Sequence, residues 1–199
     1  FLLVFGAILL MLPFVYMVST SFKPHAYVLE LPPRFIPQDA TIDNYVRALT
    51  SNNFGRYFGN SLVVATVATS ITMFLSSAMA FGFARYPFPG RSVLFYMLMG
   101  TMMIPGIVLI IPQFVLARDL RLLNSLWGLI VVYSAGSAFN MFLLRNYIEQ
   151  IPEAVFESAT IDGAGALTSF LRIALPLARP ALAAVAIFAF LGSWDEFIW

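Results

Sequence analysis

Five stretches of this 199-residue chain carry no Asp, Glu, Lys or Arg: residues 1–22, 57–84, 92–117, 122–144 and 180–194. A helix needs roughly 20 apolar residues to cross the hydrocarbon core of a bilayer, and the first four stretches exceed that length. An ionised side chain at the bilayer centre costs several kcal/mol, so intervals this clean are the mark of membrane spans. Composition agrees, with 60% of residues hydrophobic and 11% charged, outside the range of an ordinary soluble domain. The expected fold is an all-α membrane protein, a polytopic helical bundle forming one domain. Its spans are expected at about 1–19, 60–84, 92–117, 123–144 and 180–199, with polar segments at 20–59 and 145–179.

Several function classes are excluded. There is no cysteine, hence no disulfide, thiolate nucleophile or Cys-based metal site, and the single histidine, His25, admits no His pair for a metal. The only lysine, Lys23, is followed by Pro24, so the chain holds no Gly-x-x-x-x-Gly-Lys-Ser/Thr phosphate loop. If ATP drives this protein, another chain binds it. No Ser/His/Asp set is present, a net charge of +1 speaks against nucleic acid as a partner, and the chain is expected to be no enzyme and to carry no cofactor.

The first span opens on Phe1 without a basic flank or a small-residue cleavage site, so it reads as a true span with a trimmed start rather than a signal peptide. Residues 20–59 hold Pro24, Pro32, Pro33 and Pro37, which predicts an extended loop ending in a short helix near Ile42 to Leu49. The second span is rich in Ser, Thr, Ala and Gly, which allows close helix approach. The third carries Pro105-Gly106 and Pro112, which predicts a kink or break. Such a break lines a solute path or is tolerated by packing alone. In the fourth, Asn140 requires a hydrogen-bond partner, either a substrate or a neighbouring helix.

Between the fourth and fifth spans the chain reads as a helix-turn-helix at the membrane surface. Pro152 suits a helix start, and Glu153 then faces the positive end of the macrodipole. Asp162-Gly163 is a stop signal. Thr168 or Ser169 is placed to cap a second helix that Pro176 ends. Arg145, Glu149, Glu153 and Glu157 recur every fourth residue; Pro152 interrupts the stripe, and Glu149 and Glu153 read as a solvated face.

Glu157, Ala159, Gly163, Ile173, Leu175 and Pro176 fall on the pattern Glu-Ala-Ala, three residues, Gly, nine residues, Ile-x-Leu-Pro. On these residues the chain resembles bacterial and archaeal ABC importer permeases, the binding-protein-dependent inner membrane components with an EAA loop. Ser158 stands where that family usually has Ala, and Asp162 and Ala164 match its common Asp-Gly-Ala form. Trp194-Asp195-Glu196-Phe197 is similar to the Trp-Asn-Glu-Phe of the carbohydrate-uptake, maltose-type subgroup, with Asp195 in place of Asn.

The resemblance implies a type I ABC importer permease fold, multi-pass in the cell inner membrane, with six spans in the whole protein, five of them here, and both chain ends truncated. It implies a cytoplasmic coupling loop at 145–179 and an outside loop at 20–59. Loop charge alone, Lys23 with five arginines against Arg85, Arg91, Arg145, Arg172 and Arg179, only tilts the same way once the long loop is discounted. The implied partners are ABC ATPase subunits holding ATP and Mg, a second and related permease subunit rather than a second copy, an extracytoplasmic solute-binding protein, and the lipid bilayer. The implied ATPase-coupling residues are Glu157, Ser158, Ala159, Asp162, Gly163 and Ala164. Candidates on the path of a sugar or sugar-like solute are Asn140, Trp194, Asp195 and Glu196. Gly163 is expected to permit a turn that a side chain obstructs. The other function class is an ion-coupled secondary transporter, with Asp195 or Glu196 taking up a proton.

Overall fold

The computed structural model describes residues 1–51 and 53–199. Among them every regular element is helical, in two compact units, Phe1–Gly59 and Asn60–Trp199.

The first unit contains α1, Leu2–Ser21, and α2, Asp43–Thr50. The segment between them is not an open loop. Asn44 Nδ2 donates to the carbonyls of Ser21 at 2.9 Å and Lys23 at 2.7 Å, and the Tyr45 and Ser21 hydroxyls meet at 2.6 Å. Lys23 is 1% exposed; its Nζ donates to the Arg34 carbonyl at 2.6 Å and stands 4.9 Å from the centre of the Tyr16 ring. The proline-rich segment thus folds back on the end of α1, because its buried carbonyls need donors and these side chains supply them.

Helix α3, Phe54–Arg85, starts six residues earlier than the expected span. Arg56 ends the charge-free interval but not the helix, and Phe54 and Phe58 stack at 6.2 Å across one turn. Its buried positions include Ala65, Ala68, Thr72, Ser76 and Ala80, three or four residues apart, which puts them on one face. Small side chains along that face let neighbouring helices come close enough for van der Waals contact, the main attraction available between helices in lipid.

The expected third span divides at Pro105 into α4, Arg91–Thr101, and α5, Gly106–Asp119, bent by 101°. Helix α5 continues through Pro112. The fourth also divides, which the sequence did not indicate: α6, Leu126–Ala135, and α7, Ala138–Glu149, meet at 48°. Gly136 and Ser137 fall at the break, where Ser76 on α3 donates to the Ser137 carbonyl at 3.5 Å. Leu123 and Asn124 lie outside α6, with Asn124 in a turn at φ +54°, and Ser125 caps the helix by accepting the Trp127 N–H at 3.1 Å. This turn packs so tightly that a Cβ on Gly128 would stand 2.3 Å from the Leu122 carbonyl oxygen.

After α8, Glu153–Ile161, comes α9, Ala166–Leu177, and then α10, Arg179–Trp194, bent by 81° from α9. Gly165 precedes the first turn of α9, so Thr168 and Ser169 lie inside the helix and do not cap it. Nor does α9 rest wholly at the surface. A wide π turn at Phe170–Ala174 carries Phe170 and Ala174 into a core with Phe81, Met141, Leu144, Ile148, Ala178 and Val185. Pro176 lies within the last turn of α9, and the chain bends at Ala178. Among the described residues two helices, α1 and α3, are each long and apolar enough to cross a membrane, and up to five spans result if each bent pair is one.

Candidate functional site

Helix α8 is defined by its ends. Pro152 precedes its first turn and Glu153 lies within it, where a carboxylate favours the macrodipole. At the other end the Gly163 N–H donates to the Thr160 carbonyl at 3.0 Å and the Ala164 N–H to the Ala159 carbonyl at 2.9 Å. These are the paired bonds of a Schellman cap, with Gly163 in the left-handed position at φ +83°. A side chain there costs roughly 1–2 kcal/mol through φ alone. The obstruction expected of a side chain at Gly163 is therefore one of backbone conformation and not of contact, since no described atom lies within 4 Å of a Cβ there.

The six coupling candidates come together on α8 and this cap. Glu157, Ser158, Asp162 and Gly163 are exposed, Ala159 and Ala164 half-buried. The Ser158 and Thr160 hydroxyls turn back to the Val155 and Phe156 carbonyls of their own helix. Ile161 is 87% exposed and Leu167 69%, so apolar side chains flank the acids on an uncovered face.

What holds α8 to the bundle is mainly Phe156. Its ring lies 6.1 Å from that of Phe81 on α3, which in turn packs on Phe170 of α9 at 5.4 Å. The Arg85 guanidinium, at the end of α3, covers the Phe156 ring at 4.2 Å and donates through Nη2 to the carbonyls of Ile148, at 2.5 Å, and Ile151. Beneath α8 is a cavity of about 190 Å³ lined by Arg85, Tyr86, Glu153, Phe156, Glu157 and Ser169 among others. Glu149 is not simply solvated. It pairs with Arg145 at 2.6 Å and Arg91 at 3.7 Å, and Arg145 in turn covers Phe95 of α4 at 4.2 Å.

A second cavity, about 240 Å³, lies among the apolar helices. Thr72, Tyr133, Gly136, Phe139, Asn140, Phe188, Gly192 and Ser193 contribute to its wall, and none of its lining residues is charged. Asn140 is 7% exposed and its Oδ1 has no partner among the described residues, so the structure offers no interhelical bond for that oxygen. Trp194, Asp195 and Glu196 are not part of this lining. The Trp194 ring stacks on Phe190 at 5.7 Å. Asp195 follows the end of α10, and Glu196 accepts the Phe197 and Ile198 N–H groups at 3.0 and 2.9 Å. Among the described residues no group of three metal-ligating side chains occurs.

Residues 72–199 match the family of binding-protein-dependent transport system inner membrane components. This chain belongs to that family. It is 37% identical over 198 residues to the diacetylchitobiose uptake system permease protein NgcG of Streptomyces coelicolor, covering 99% of this chain and 65% of that one. It is 34% identical over 198 residues to the polygalacturonan/rhamnogalacturonan transport system permease protein YtcP of Bacillus subtilis, covering 100% and 68%. The chain thus spans about two thirds of the length of these relatives. A bacterial ABC transporter involved in the import of the acidic polysaccharide alginate superposes with a TM-score of 0.88 at 28% identity, covering all of this chain and 70% of that one. The fold is that of an ABC importer permease. Its relatives are transport permeases rather than enzymes, and as an inner membrane component the chain is membrane-embedded.

Sequence pattern did not single out Phe156 or Arg85. Arg85 carried only a topological signal, a basic residue in a Pro-rich turn. Phe156 is the one aromatic in α8, a hint of an anchor without an indication of what it grips.

Proposed function

We propose that this protein is the transmembrane permease subunit of an ATP-driven importer for a sugar or sugar-like solute. An exposed, Schellman-capped α8 carrying Glu157 and Gly163 at the family's motif positions is the observation that carries this reading. In it, residues 145–179 face the cytoplasm and α8 docks on an ABC ATPase subunit that holds ATP and Mg. A second, related permease completes the pathway, since five or six helices do not enclose one, and an extracytoplasmic binding protein delivers the solute. The saccharide substrates named for the relatives support the solute class, as does the uncharged cavity around Asn140, where Tyr133, Phe139 and Phe188 offer rings and Asn140, Thr72 and Ser193 offer polar atoms. Trp194, Asp195 and Glu196 belong to the same candidate path, at the end of α10.

The test is mass spectrometry of what co-purifies with the full-length protein from gently solubilised membranes, comparing wild type with a Glu157→Ala/Gly163→Asp variant. A P-loop ATPase recovered with the wild type and lost from the variant is expected. No ATPase in either sample, with uptake collapsed by a protonophore and indifferent to ATP depletion, would replace this reading with an ion-coupled transporter.

A further inference from the structure

Helix α8 has no buried residue, yet a helix that drives a pore must pass its displacement to the membrane helices. Arg85 joins three of the parts involved, α3, the end of α7 and α8. It ends α3, it donates to the Ile148 and Ile151 carbonyls where α7 finishes, and its planar face covers Phe156 at the middle of α8. The carbonyls at a helix C-terminus lack intrahelical donors and carry the negative end of the macrodipole, so a guanidinium is a strong partner for them. Glu153 and Glu149 are the acids whose charge acts on the same group. On its other flank the end of α7 is tied to α4, through Glu149 to Arg91 and through Arg145 to Phe95. The ends of α3, α4 and α7 are thereby fastened to one another. Phe156, gripped between Arg85 and Phe81, is the principal link from that assembly to α8.

We propose that Arg85 is a positioning residue for coupling: it makes α3, α7 and α8 move as one body, so that a displacement imposed on α8 reaches the membrane helices rather than being absorbed by rotation of α8 about its flanking turns. The inference rests on the importer reading. The group needed is a guanidinium, not merely a positive charge. Lysine keeps the charge but has neither the flat face that stacks on Phe156 nor the rigid fork that serves two carbonyls.

The experiment reconstitutes the complete transporter in proteoliposomes and reads two quantities together, solute transported and ATP hydrolysed, for wild type, Arg85→Lys, Phe156→Leu and the double variant. Arg85→Lys is expected to raise the ATP consumed per solute by about ten-fold, the size of losing a desolvated cation–π contact together with a charge-assisted bond, while the ATPase still co-purifies. Phe156→Leu keeps an apolar anchor and is expected to raise the ratio several-fold; the double variant should be no worse than Arg85→Lys, because both remove the same link. Phe156→Trp should retain the wild-type ratio.

A purely structural Arg85 would lower protein abundance and both rates in parallel with the ratio unchanged, and that result overturns the proposal. Additive losses in the double variant overturn it too. Should Arg85→Lys fail to accumulate, the ratio in Phe156→Leu decides by itself. A wild type that neither binds an ATPase nor couples uptake to ATP refutes the importer reading, whereas a coupled wild type with an equally coupled Arg85→Lys refutes only the role of Arg85.

Discussion

The two polar segments of this chain are held in opposite ways. Residues 22–42 are sewn to the ends of α1 and α2 by side-chain-to-backbone bonds from Asn44 and Lys23 and by the Phe22–Tyr45 and Tyr16–Phe35 ring contacts. Around α8 the backbone instead completes its own ends, through the Schellman cap at Gly163, and mainly one side chain, Phe156, anchors the helix. The first segment is secured at many points and is suited to keeping a shape. Helix α8, unlike its flanking residues Ile148, Ile151, Phe170 and Ala174, which enter the core, is held chiefly at one place, as suits an element that another protein grips and moves.

That contrast can be broken most directly at Gly163. Asp tolerates the left-handed region better than most residues, and nothing in the chain obstructs its side chain, so Gly163→Asp should leave membrane levels near normal while uptake falls more than about ten-fold, the cost arising at the docked surface. Labelled-solute uptake beside an immunoblot reads this out, and undiminished uptake would remove α8 from the coupling path. In the first segment, Lys23→Met removes a buried bond and a cation–π contact, worth about 1–3 kcal/mol together. Tryptic cleavage at Arg34 should then quicken several-fold with ATP consumed per solute unaltered; a change in that ratio would mean that the two segments are not functionally separate. Asn44→Ala should act in the same sense and to a comparable extent, losing two bonds at about 1 kcal/mol each, read by the same proteolysis. The smallest effect on stability is expected at Ile161→Ser. Its side chain is 87% exposed, so thermal stability should shift by less than about 0.5 kcal/mol, while ATPase retention through purification drops two- to three-fold, roughly the loss of part of one apolar contact. A variant that unfolds would show that Ile161 packs within this chain rather than against a partner.

Several features of the site are legible in the residues alone. Pro152, Asp162 and Gly163 delimit α8 closely, because caps are written in single residues whose φ or missing N–H acts locally. The break at Pro105 is equally local. The break at Gly136 and Ser137 is not: the stretch from Leu126 to Leu144 has no proline, and the Ser137 carbonyl freed there meets Ser76, sixty-one residues away on another helix. Thr168 and Ser169 mislead for a related reason. Their capping chemistry is sound in isolation, but Phe170 and Ala174 have to enter the core, which starts α9 earlier, at Ala166.

By itself, then, the sequence determined that this is a helical membrane chain, where its polar segments lie, and that residues 157–176 follow the EAA pattern, since charge spacing, caps and motif residues act over a few positions along the chain. Tertiary structure alone decided how α8 is attached and where polar atoms stay unpaired in the bundle. Arg85 finds Ile148, Ile151 and Phe156, and Asn140 reaches a cavity wall shared with Thr72 and Phe188. These contacts join residues more than sixty positions apart in the case of Arg85, and no periodicity along a single helix encodes which side chain from another will meet it.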